Sequence, residues 1–241
     1  DPRTGEILAF VSKPIYDPNL FVSGISQKDF DALNYDINTP FLNRVMQGRY
    51  PPGSVIKPQI ALAGLNSGEI TPSSTIMCGG HYQVEGDSHR FRDHGAHGRL
   101  NIYGAMERSC NVYFYDFSLG TPTQIDLLVE SSGVAPTPEY KRSRHNTPWY
   151  AGDTVTAGIG QSYWLTTPLQ INQATAIIAM AGKNYTPHIL RSFARPNSET
   201  QYTIPLRPIK PIHLKNEEHW QVIQESMERV VHGSRGTARS L

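Results

Sequence analysis

The sequence predicts an α+β fold in which helices and short strands pack as a sandwich. Three segments carry apolar residues at helical spacing, and turns rich in proline and glycine separate them from short strand-like segments. The 241 residues contain no internal repeat, and their 38% hydrophobic content is enough to fill a core. The length allows one large domain or two small ones.

The first predicted helix covers residues 54–66 and stops at Gly68. Its apolar residues recur at the spacing of one helical face. Pro58 removes the hydrogen bond to the Ser54 carbonyl, which a helix tolerates only in its first turn. We therefore expect the helix to begin close to Ser54.

Two further helices are predicted in the second half of the chain. The helix over 168–181 opens with a proline, which suits a first turn, and Gly182 ends it. The helix over 217–231 has Asn216 as its predicted cap, acidic residues in its first turn and an apolar stripe that includes Trp220.

The strands are short and scattered. Residues 1–5 form a predicted turn that leads into a strand over 6–11, and this abrupt start is typical of a piece of a longer protein. Residues 13–49 are polar and are expected to form loops with short helical pieces. Residues 191–211 favour a hairpin or irregular strands.

Composition excludes several functional classes. The net charge of +1 and the 18% of charged residues argue against a disordered chain and against a nucleic-acid-binding protein. No apolar run reaches the roughly 18 residues that a membrane span needs, and no segment of the 241 residues has the pattern of a signal peptide.

Ser54 and Lys57 lie three residues apart at the predicted start of the first helix. That spacing puts both side chains on one face, with Cβ atoms about 5–6 Å apart. A serine hydroxyl needs a base within hydrogen-bonding reach, and a partly desolvated lysine can lose its proton to become one. The free N–H groups at a helix start can also hold an oxyanion. We therefore predict that Ser54 is a nucleophile and that Lys57 is its base.

Ser109-Cys110-Asn111 is a second element of this predicted site. Serine acyl-transfer enzymes pair Ser-x-x-Lys with a Ser-Asp-Asn element, to which this triplet is similar. Each element alone is common by chance, but the two together indicate one site. Ser109 is expected to relay a proton between Lys57 and a leaving amine, and Asn111 to hydrogen-bond both Lys57 and a substrate amide.

Several motifs resemble class B penicillin-binding proteins, and within them the transpeptidases of elongating Gram-negative rods. The sequence has YPPGSVIKP at 50–58, SCN at 109–111 and GIGQSYW at 158–164, and residues 1–12, 33–40 and 148–154 are similar as well. The resemblance spans nearly the whole chain. It implies a three-layer sandwich in which helices flank a central antiparallel sheet, as in serine β-lactamases.

The resemblance also implies an activity, a location and partners. Ser54 is expected to attack the penultimate D-Ala carbonyl of a peptidoglycan stem peptide, and an amine of a neighbouring peptide to resolve the acyl-enzyme. β-Lactams are expected to acylate Ser54 as substrate mimics. The chemistry requires no cofactor. The expected location is the periplasmic face of the inner membrane, with RodA and MreC as partners.

The sequence departs from the family in its third motif. No Lys-Ser-Gly or Lys-Thr-Gly occurs, and Arg235-Gly236-Thr237 has the residues in the wrong order. We expect residues 1–241 to form a transpeptidase domain that stops short of this motif and lacks the N-terminal anchor and pedestal. The chain also looks shortened at 93–97 and at Gly120-Thr121.

Cys78, Asp93, His97 and Cys110 form a second constellation. Thiolate, imidazole and carboxylate are the ligands that tetrahedral zinc accepts. The spacing is not that of a zinc finger, and a Cys78–Cys110 disulfide or two free thiols also fit. Alternative ligands lie nearby, namely His81, His89, His94 and Asp87. We hypothesise that zinc staples the loop 78–97 to the element 109–111.

Four residues are candidates for substrate contact. Trp149 and Tyr150, between a proline and a glycine, line the cleft or belong to the core, and Gly160 with Gln161 is expected to shape the floor of the site. A basic cluster is expected to form a solvated face, and it consists of Lys141, Arg142, Arg144 and His145.

Two other functions share Ser-x-x-Lys. A serine β-lactamase must hydrolyse its acyl-enzyme and so needs a deacylating carboxylate, for which Glu107 and Asp153 are the nearest candidates. A β-lactam sensor domain acylates once and signals. The similarity beyond the active-site motifs favours the transpeptidase.

Overall fold

The structure is a computed structural model that describes residues 1–118, 137–197 and 199–240. Its helices are α1 (Gln27–Asn34), α2 (Lys57–Ser67), α3 (Ile102–Glu107), α4 (Asn111–Ser118), α5 (Pro138–His145), α6 (Ala151–Ala157), α7 (Pro168–Ala179) and α8 (Glu218–His232). Short 3₁₀ turns cover Pro18–Phe21 and Gly53–Ile56. None of the described helices is long and apolar enough to cross a membrane.

The strands in the described part of the chain form four antiparallel pairs. β1 (Ile76–Cys78) pairs with β4 (Gly98–Leu100), β2 (His81–Tyr82) with β3 (Phe91–Arg92), β5 (Asn184–Tyr185) with β8 (Pro208–Ile209), and β6 (Ser192–Ala194) with β7 (Gln201–Thr203). The β6–β7 pair confirms the hairpin predicted within 191–211.

The described strands are hydrogen-bonded to one another only in these pairs, and the predicted strand over 6–11 is wrong. Within that segment only Glu6 makes a bridge, to His188. Leu8 and Val11 are 80% and 68% exposed, and no described strand pairs with them. A strand is stable in a sheet only when a partner takes up its backbone hydrogen bonds.

The helix that carries Lys57 follows the prediction closely. The 3₁₀ turn at Gly53–Ile56 continues directly into α2, and Pro58 lies in the first turn of α2. Gly68 ends the helix in the left-handed conformation, at φ +92°, and donates its N–H to the Gly64 carbonyl. Glycine adopts this conformation at no steric cost.

The other two predicted helices are confirmed with shifted ends. α7 begins at Pro168 but stops at Ala179, two residues early. α8 begins at Glu218, one residue late, and the Asn216 side chain accepts the Glu218 N–H at 3.0 Å. Between 13 and 49 the structure contains only a 3₁₀ turn and α1, as predicted.

The core surrounds α2, of whose 11 residues ten are buried. A helix that is apolar on all sides is stable only in an interior. α2 packs against α4 and α8, and Trp220 and Ile223 of α8 are buried in the same core. The site residues at the start of α2 therefore rest on the most deeply buried element of the described chain. Gly120-Thr121 lies outside the described residues.

Replacing Trp220 with alanine tests this packing. Trp220 is 2% exposed, and its ring fills the space beside Gly182. We expect Trp220→Ala to lower the free energy of unfolding by about 3–5 kcal/mol, because it leaves a cavity. Val231→Ala on the exposed side of α8 should change it by less than about 0.5 kcal/mol. Urea unfolding followed by circular dichroism measures both, and equal effects would contradict the assignment.

Candidate active site

Two contacts hold the turn that carries Ser54. Tyr50 pairs with Thr166 through two backbone hydrogen bonds of 2.9 and 3.0 Å, and the Gly53 N–H donates to the Gly160 carbonyl at 2.9 Å. Gly160 has φ +71°, and an added Cβ would overlap the Gly53 carbonyl oxygen. Only glycine allows the two turns to approach this closely.

Ser109 and Asn111 reach the site from the junction of two helices. α3 ends at Glu107 and α4 begins at Asn111, and the Cys110 N–H donates to the Ala105 carbonyl at 2.9 Å. Ser109 lies between them at φ +52°. This conformation is uncommon for a residue with a side chain, and it persists only where surrounding contacts enforce it.

A hydrogen-bonded path joins Ser54, Ser109 and Lys57. Lys57 Nζ donates to Asn111 Oδ1 at 2.8 Å, to the Ser109 carbonyl at 2.7 Å and to Ser109 Oγ at 3.1 Å. Ser109 Oγ in turn donates to Ser54 Oγ at 3.1 Å. Among the described residues Lys57 Nζ makes no direct hydrogen bond to Ser54 Oγ, although the Lys57 backbone N–H donates to the Ser54 carbonyl. The side-chain path therefore runs through Ser109 and not by the direct reach that the helical spacing predicted.

Burial controls the charge of Lys57. The residue is 1% exposed, and this burial lowers the pKa of Lys57 to about 8. The charges of Asp93, Cys110 and Cys78 act in the opposite direction, but they do not outweigh it. The centre of the Phe114 ring, which no motif predicted at this site, lies 5.1 Å from Lys57 Nζ. A substantial fraction of Lys57 is therefore neutral slightly above neutral pH, which suits a base.

Three of the four predicted metal ligands meet behind this network. Ligand atoms of Cys78, Asp93 and Cys110 all lie within 4.8 Å of one another, with the two Sγ atoms 2.7 Å apart and Asp93 Oδ2 3.3 Å from Cys78 Sγ. Both cysteines are free thiols, and burial raises the pKa of Cys110. Asp93 Oδ2 also accepts the Val112 N–H at 3.0 Å, which ties the cluster to the start of α4.

His97 is not in this cluster, contrary to the prediction. Its backbone N–H donates to the Cys78 carbonyl at 2.9 Å, and its ring Nε2 is buried with no hydrogen-bond partner in the described structure. The pairing of β1 with β4 fixes the backbone of His97, and in this conformation its ring does not reach the other three. The alternative ligands do not join the described group either, and they are His81, His89, His94 and Asp87.

The candidate substrate residues differ in accessibility. Tyr150 is 59% exposed, whereas Trp149 is half-buried and donates Nε1 to Thr154 Oγ1 at 2.7 Å. Gly160 is buried against the Ser54 turn, and Gln161 is exposed. Gly160 is thus a support of the turn, and Tyr150 and Gln161 offer accessible side chains.

Lys141 does not belong to a solvated face, so that prediction is wrong. It is 3% exposed and pairs with Asp153 Oδ2 at 2.7 Å. Burial lowers the pKa of Lys141, but the hydrogen bond and the charge of Asp153 raise it more, so the net shift is upward. The other members of the basic cluster are exposed as predicted, namely Arg142, Arg144 and His145.

Both carboxylates considered for deacylation have partners elsewhere. Glu107 Oε1 accepts the Arg235 N–H at 2.9 Å, and the Glu107 carbonyl accepts the Thr237 N–H at 3.2 Å. Asp153 is held by Lys141 and by the Tyr150 N–H at 2.8 Å. In the described structure neither carboxylate makes a hydrogen bond to Ser54.

The model for the penicillin binding protein transpeptidase domain matches residues 1–240. The chain belongs to this family. It is 41% identical over 99% of its length to the peptidoglycan D,D-transpeptidase MrdA of Escherichia coli K12, and 39% identical to that of Acinetobacter baumannii over 100%. The chain spans about 40% of the length of these curated relatives.

Solved structures show that the fold is shared with the same family. PBP2 of Pseudomonas aeruginosa in complex with WCK 5153 superimposes with a TM-score of 0.85 at 37% identity, and covers 99% of this chain and 55% of that one. A complex between PBP2 and MreC from Helicobacter pylori superimposes with a TM-score of 0.84 at 34% identity. That match covers 100% of this chain and 46% of the other chain. The chain therefore has the α+β fold of penicillin-binding proteins.

The charge state of Lys57 can be measured directly. We expect the Lys57 amine to titrate near pH 8, and Asp93→Asn to lower its pKa further, because the Asp93 charge favours the ammonium form. The matched change at the exposed Asp87 should leave the titration unchanged. Side-chain NMR of labelled lysine gives both values, and an unshifted titration above pH 10 would contradict the burial argument.

Proposed function

We propose that the chain is the transpeptidase domain of a peptidoglycan DD-transpeptidase that cross-links stem peptides during cell elongation. The observation that carries the proposal is the hydrogen-bonded path from Ser54 through Ser109 to the buried Lys57. A nucleophile, a base with a lowered pKa and a relay hydroxyl are the groups that acyl transfer requires. The family and the relatives named as D,D-transpeptidases support the same reaction.

The network suggests how the proton moves. Neutral Lys57 accepts the proton of Ser109 while Ser109 accepts that of Ser54, and Ser54 Oγ attacks the penultimate D-Ala carbonyl. As the peptide C–N bond breaks, the proton returns through Ser109 to the amine of the leaving D-Ala. The second half runs in reverse: an acceptor amine attacks the ester, loses a proton to the same path, and Ser54 regains its hydrogen.

Asn111 has two roles in this proposal. Its Oδ1 accepts a hydrogen bond from Lys57 at 2.8 Å, which orients the amine. Its NH₂ group makes no hydrogen bond to the described residues and is proposed to donate to a substrate carbonyl. β-Lactams are proposed to acylate Ser54 because they present a carbonyl to the same groups. No Lys-Ser-Gly or Lys-Thr-Gly sequence occurs in the 241 residues. The catalytic roles proposed above are therefore assigned without that motif.

The β-lactamase and sensor alternatives are less well supported. A β-lactamase needs a base that activates water at the acyl-enzyme, and Glu107 and Asp153 are both engaged in other contacts. The similarity to MrdA extends over 99% of the chain and is not confined to the acylation motifs. Repeated turnover of nitrocefin would favour a β-lactamase, whereas a single stoichiometric burst fits the transpeptidase.

Location and partners are proposed from the relatives. A structural relative is a complex with MreC, and we propose MreC and the polymerase RodA as partners of this protein. The site is proposed to work at the periplasmic face of the inner membrane of a Gram-negative bacterium, where peptidoglycan is assembled. Stem peptides are the proposed substrates, and no nucleic acid takes part.

A structural zinc ion is proposed behind the network. Cys78, Asp93 and Cys110 offer three ligands of the types that zinc prefers. The buried His97 Nε2 has no hydrogen-bond partner among the described residues, and His97 is the proposed fourth ligand. The ion would supply no chemistry of its own. It would tie the loop 78–97 to α4 and thereby hold Ser109 and Asn111.

Removing the nucleophile gives the first test. The protein is isolated as the cell produces it and is then treated with benzylpenicillin. The wild-type protein should gain the mass of one penicillin molecule, and Ser54→Ala should lose this adduct completely. Ser109→Ala should slow acylation by about 10²–10⁴-fold, because the relay is interrupted. Intact mass spectrometry with timed quenching measures both. An adduct that survives in Ser54→Ala would refute the assigned nucleophile.

Elemental analysis tests the zinc proposal. Protein prepared without chelator should contain about one zinc per chain, and Cys110→Ser should lose most of it and melt at a lower temperature. His94→Ala is the matched control, because His94 is exposed and lies outside the cluster. Protein without zinc, or a variant series with unchanged zinc content, would remove the proposal.

A further inference from the structure

Lys141 is a second buried lysine, and the proposed chemistry does not use it. Its side chain is only 4% exposed, and Nζ lies 2.7 Å from Asp153 Oδ2. A buried ammonium group is costly unless it is paired and hydrogen-bonded. Two aromatic rings complete its surroundings, with ring centres 4.5 Å away at Tyr150 and 5.3 Å away at Tyr163. Rings at such distances attract a cation through their faces.

These contacts join three separate segments of the chain. Lys141 lies on α5, Tyr150 and Asp153 at the start of α6, and Tyr163 after the end of α6. Asp153 Oδ2 accepts hydrogen bonds from both the Lys141 ammonium and the Tyr150 backbone N–H. Tyr163 also contacts the Trp149 ring, with centres 6.2 Å apart. We call the set Lys141, Trp149, Tyr150, Asp153 and Tyr163 the Lys141 cluster.

The Lys141 cluster is connected to the turn that carries Ser54. Tyr163 follows Gly160 by three residues, and the Gly160 carbonyl accepts the Gly53 N–H. Next to Tyr163, Trp164 is fully buried and donates Nε1 to the Ala157 carbonyl at 2.8 Å. Such close packing transmits a displacement of Tyr163 to Gly160 and from there to Gly53.

Tyr150 gives the cluster an accessible surface. The residue is 59% exposed although the Lys141 ammonium lies over one face of its ring. The cation therefore fixes the ring and leaves the rest of it open to a ligand. A tyrosine held in this way costs little conformational entropy on binding, because its ring is already in place.

We propose that Lys141 is a positioning residue for acylation of Ser54, and that it holds Tyr150 as a wall which contacts the acyl donor. The inference rests on the proposed function. The charge of Lys141 is essential because a neutral side chain of similar length leaves Asp153 without a cationic partner and loses the attraction to both rings. The role is distinct from proton transfer, since Lys141 takes no part in the hydrogen bonds that reach Ser54 in the described part of the chain.

The experiment compares Lys141→Met and Lys141→Arg with the matched control Arg144→Met, which is exposed on the same helix. A fluorescent penicillin labels the protein as the cell produces it, and the observed rate is followed over a range of concentrations. The end point of labelling counts the competent molecules, so the rate refers to those alone. Saturation separates the limiting acylation rate from the concentration at half-saturation.

We expect Lys141→Met to lower the acylation efficiency of competent molecules by about 10- to 100-fold. A rate loss of this size is typical when reacting groups are held slightly out of position. Lys141→Arg should recover most of it, since arginine keeps the charge and also packs over aromatic rings. Arg144→Met should match wild type. Tyr150→Leu should mainly raise the half-saturating concentration.

Two outcomes would overturn the inference. The first is a wild-type acylation rate in Lys141→Met. The second is a reduced end point of labelling at an unchanged acylation rate, which means that Lys141 has a purely structural role. If Lys141→Met does not fold, the double variant Lys141→Met/Asp153→Asn, which removes both charges, is judged by the same two outcomes. A wild-type protein with no Ser54-dependent label would refute the proposed function instead.

Discussion

The hydrogen bonds of the buried Lys57 amine are the interaction on which the candidate site depends. They join the start of α2 to Ser109 and Asn111, at the junction of α3 and α4. An amine with 1% exposure has no water to satisfy its donors, so these acceptors must stay in place for the core to be stable. The stability of the core and the geometry around Ser54 are therefore set by the same contacts.

The two buried lysines show how surroundings decide the use of a side chain. Among the described residues the Lys57 amine donates only to neutral acceptors, and burial lowers its pKa to about 8. Lys141 touches the Asp153 carboxylate, and its pKa is raised. The first can exchange a proton near neutral pH, which suits a base. The second stays charged, which suits a group that holds aromatic rings in position.

The Cys78–Asp93–Cys110 cluster supports the site from behind. Asp93 accepts the Val112 N–H and so satisfies a donor at the start of α4, next to Asn111. Its negative charge also favours the charged form of Lys57 and offsets part of the effect of burial. A cation bound to these ligands would remove much of that charge effect, so occupancy of the cluster and the pKa of Lys57 are linked.

Local sequence determined the elements whose signals are contained in a few residues. Four features could be predicted because helix geometry relates residues three or four positions apart. They are the Ser54–Lys57 spacing, Pro58 in a first turn, Gly68 as a helix end and the apolar stripe containing Trp220. The α+β class followed from the same elements. The resemblance of the motifs also pointed to the family before any contact was known.

Only the tertiary structure decided how distant segments meet. It placed Ser109 between Lys57 and Ser54 and left His97 outside the cysteine cluster. It also buried Lys141 against Asp153, whereas its sequence neighbours suggested a solvated face. Burial and charge pairing arise from packing between segments far apart in the chain, and those two quantities set the pKa values on which the proposed chemistry relies.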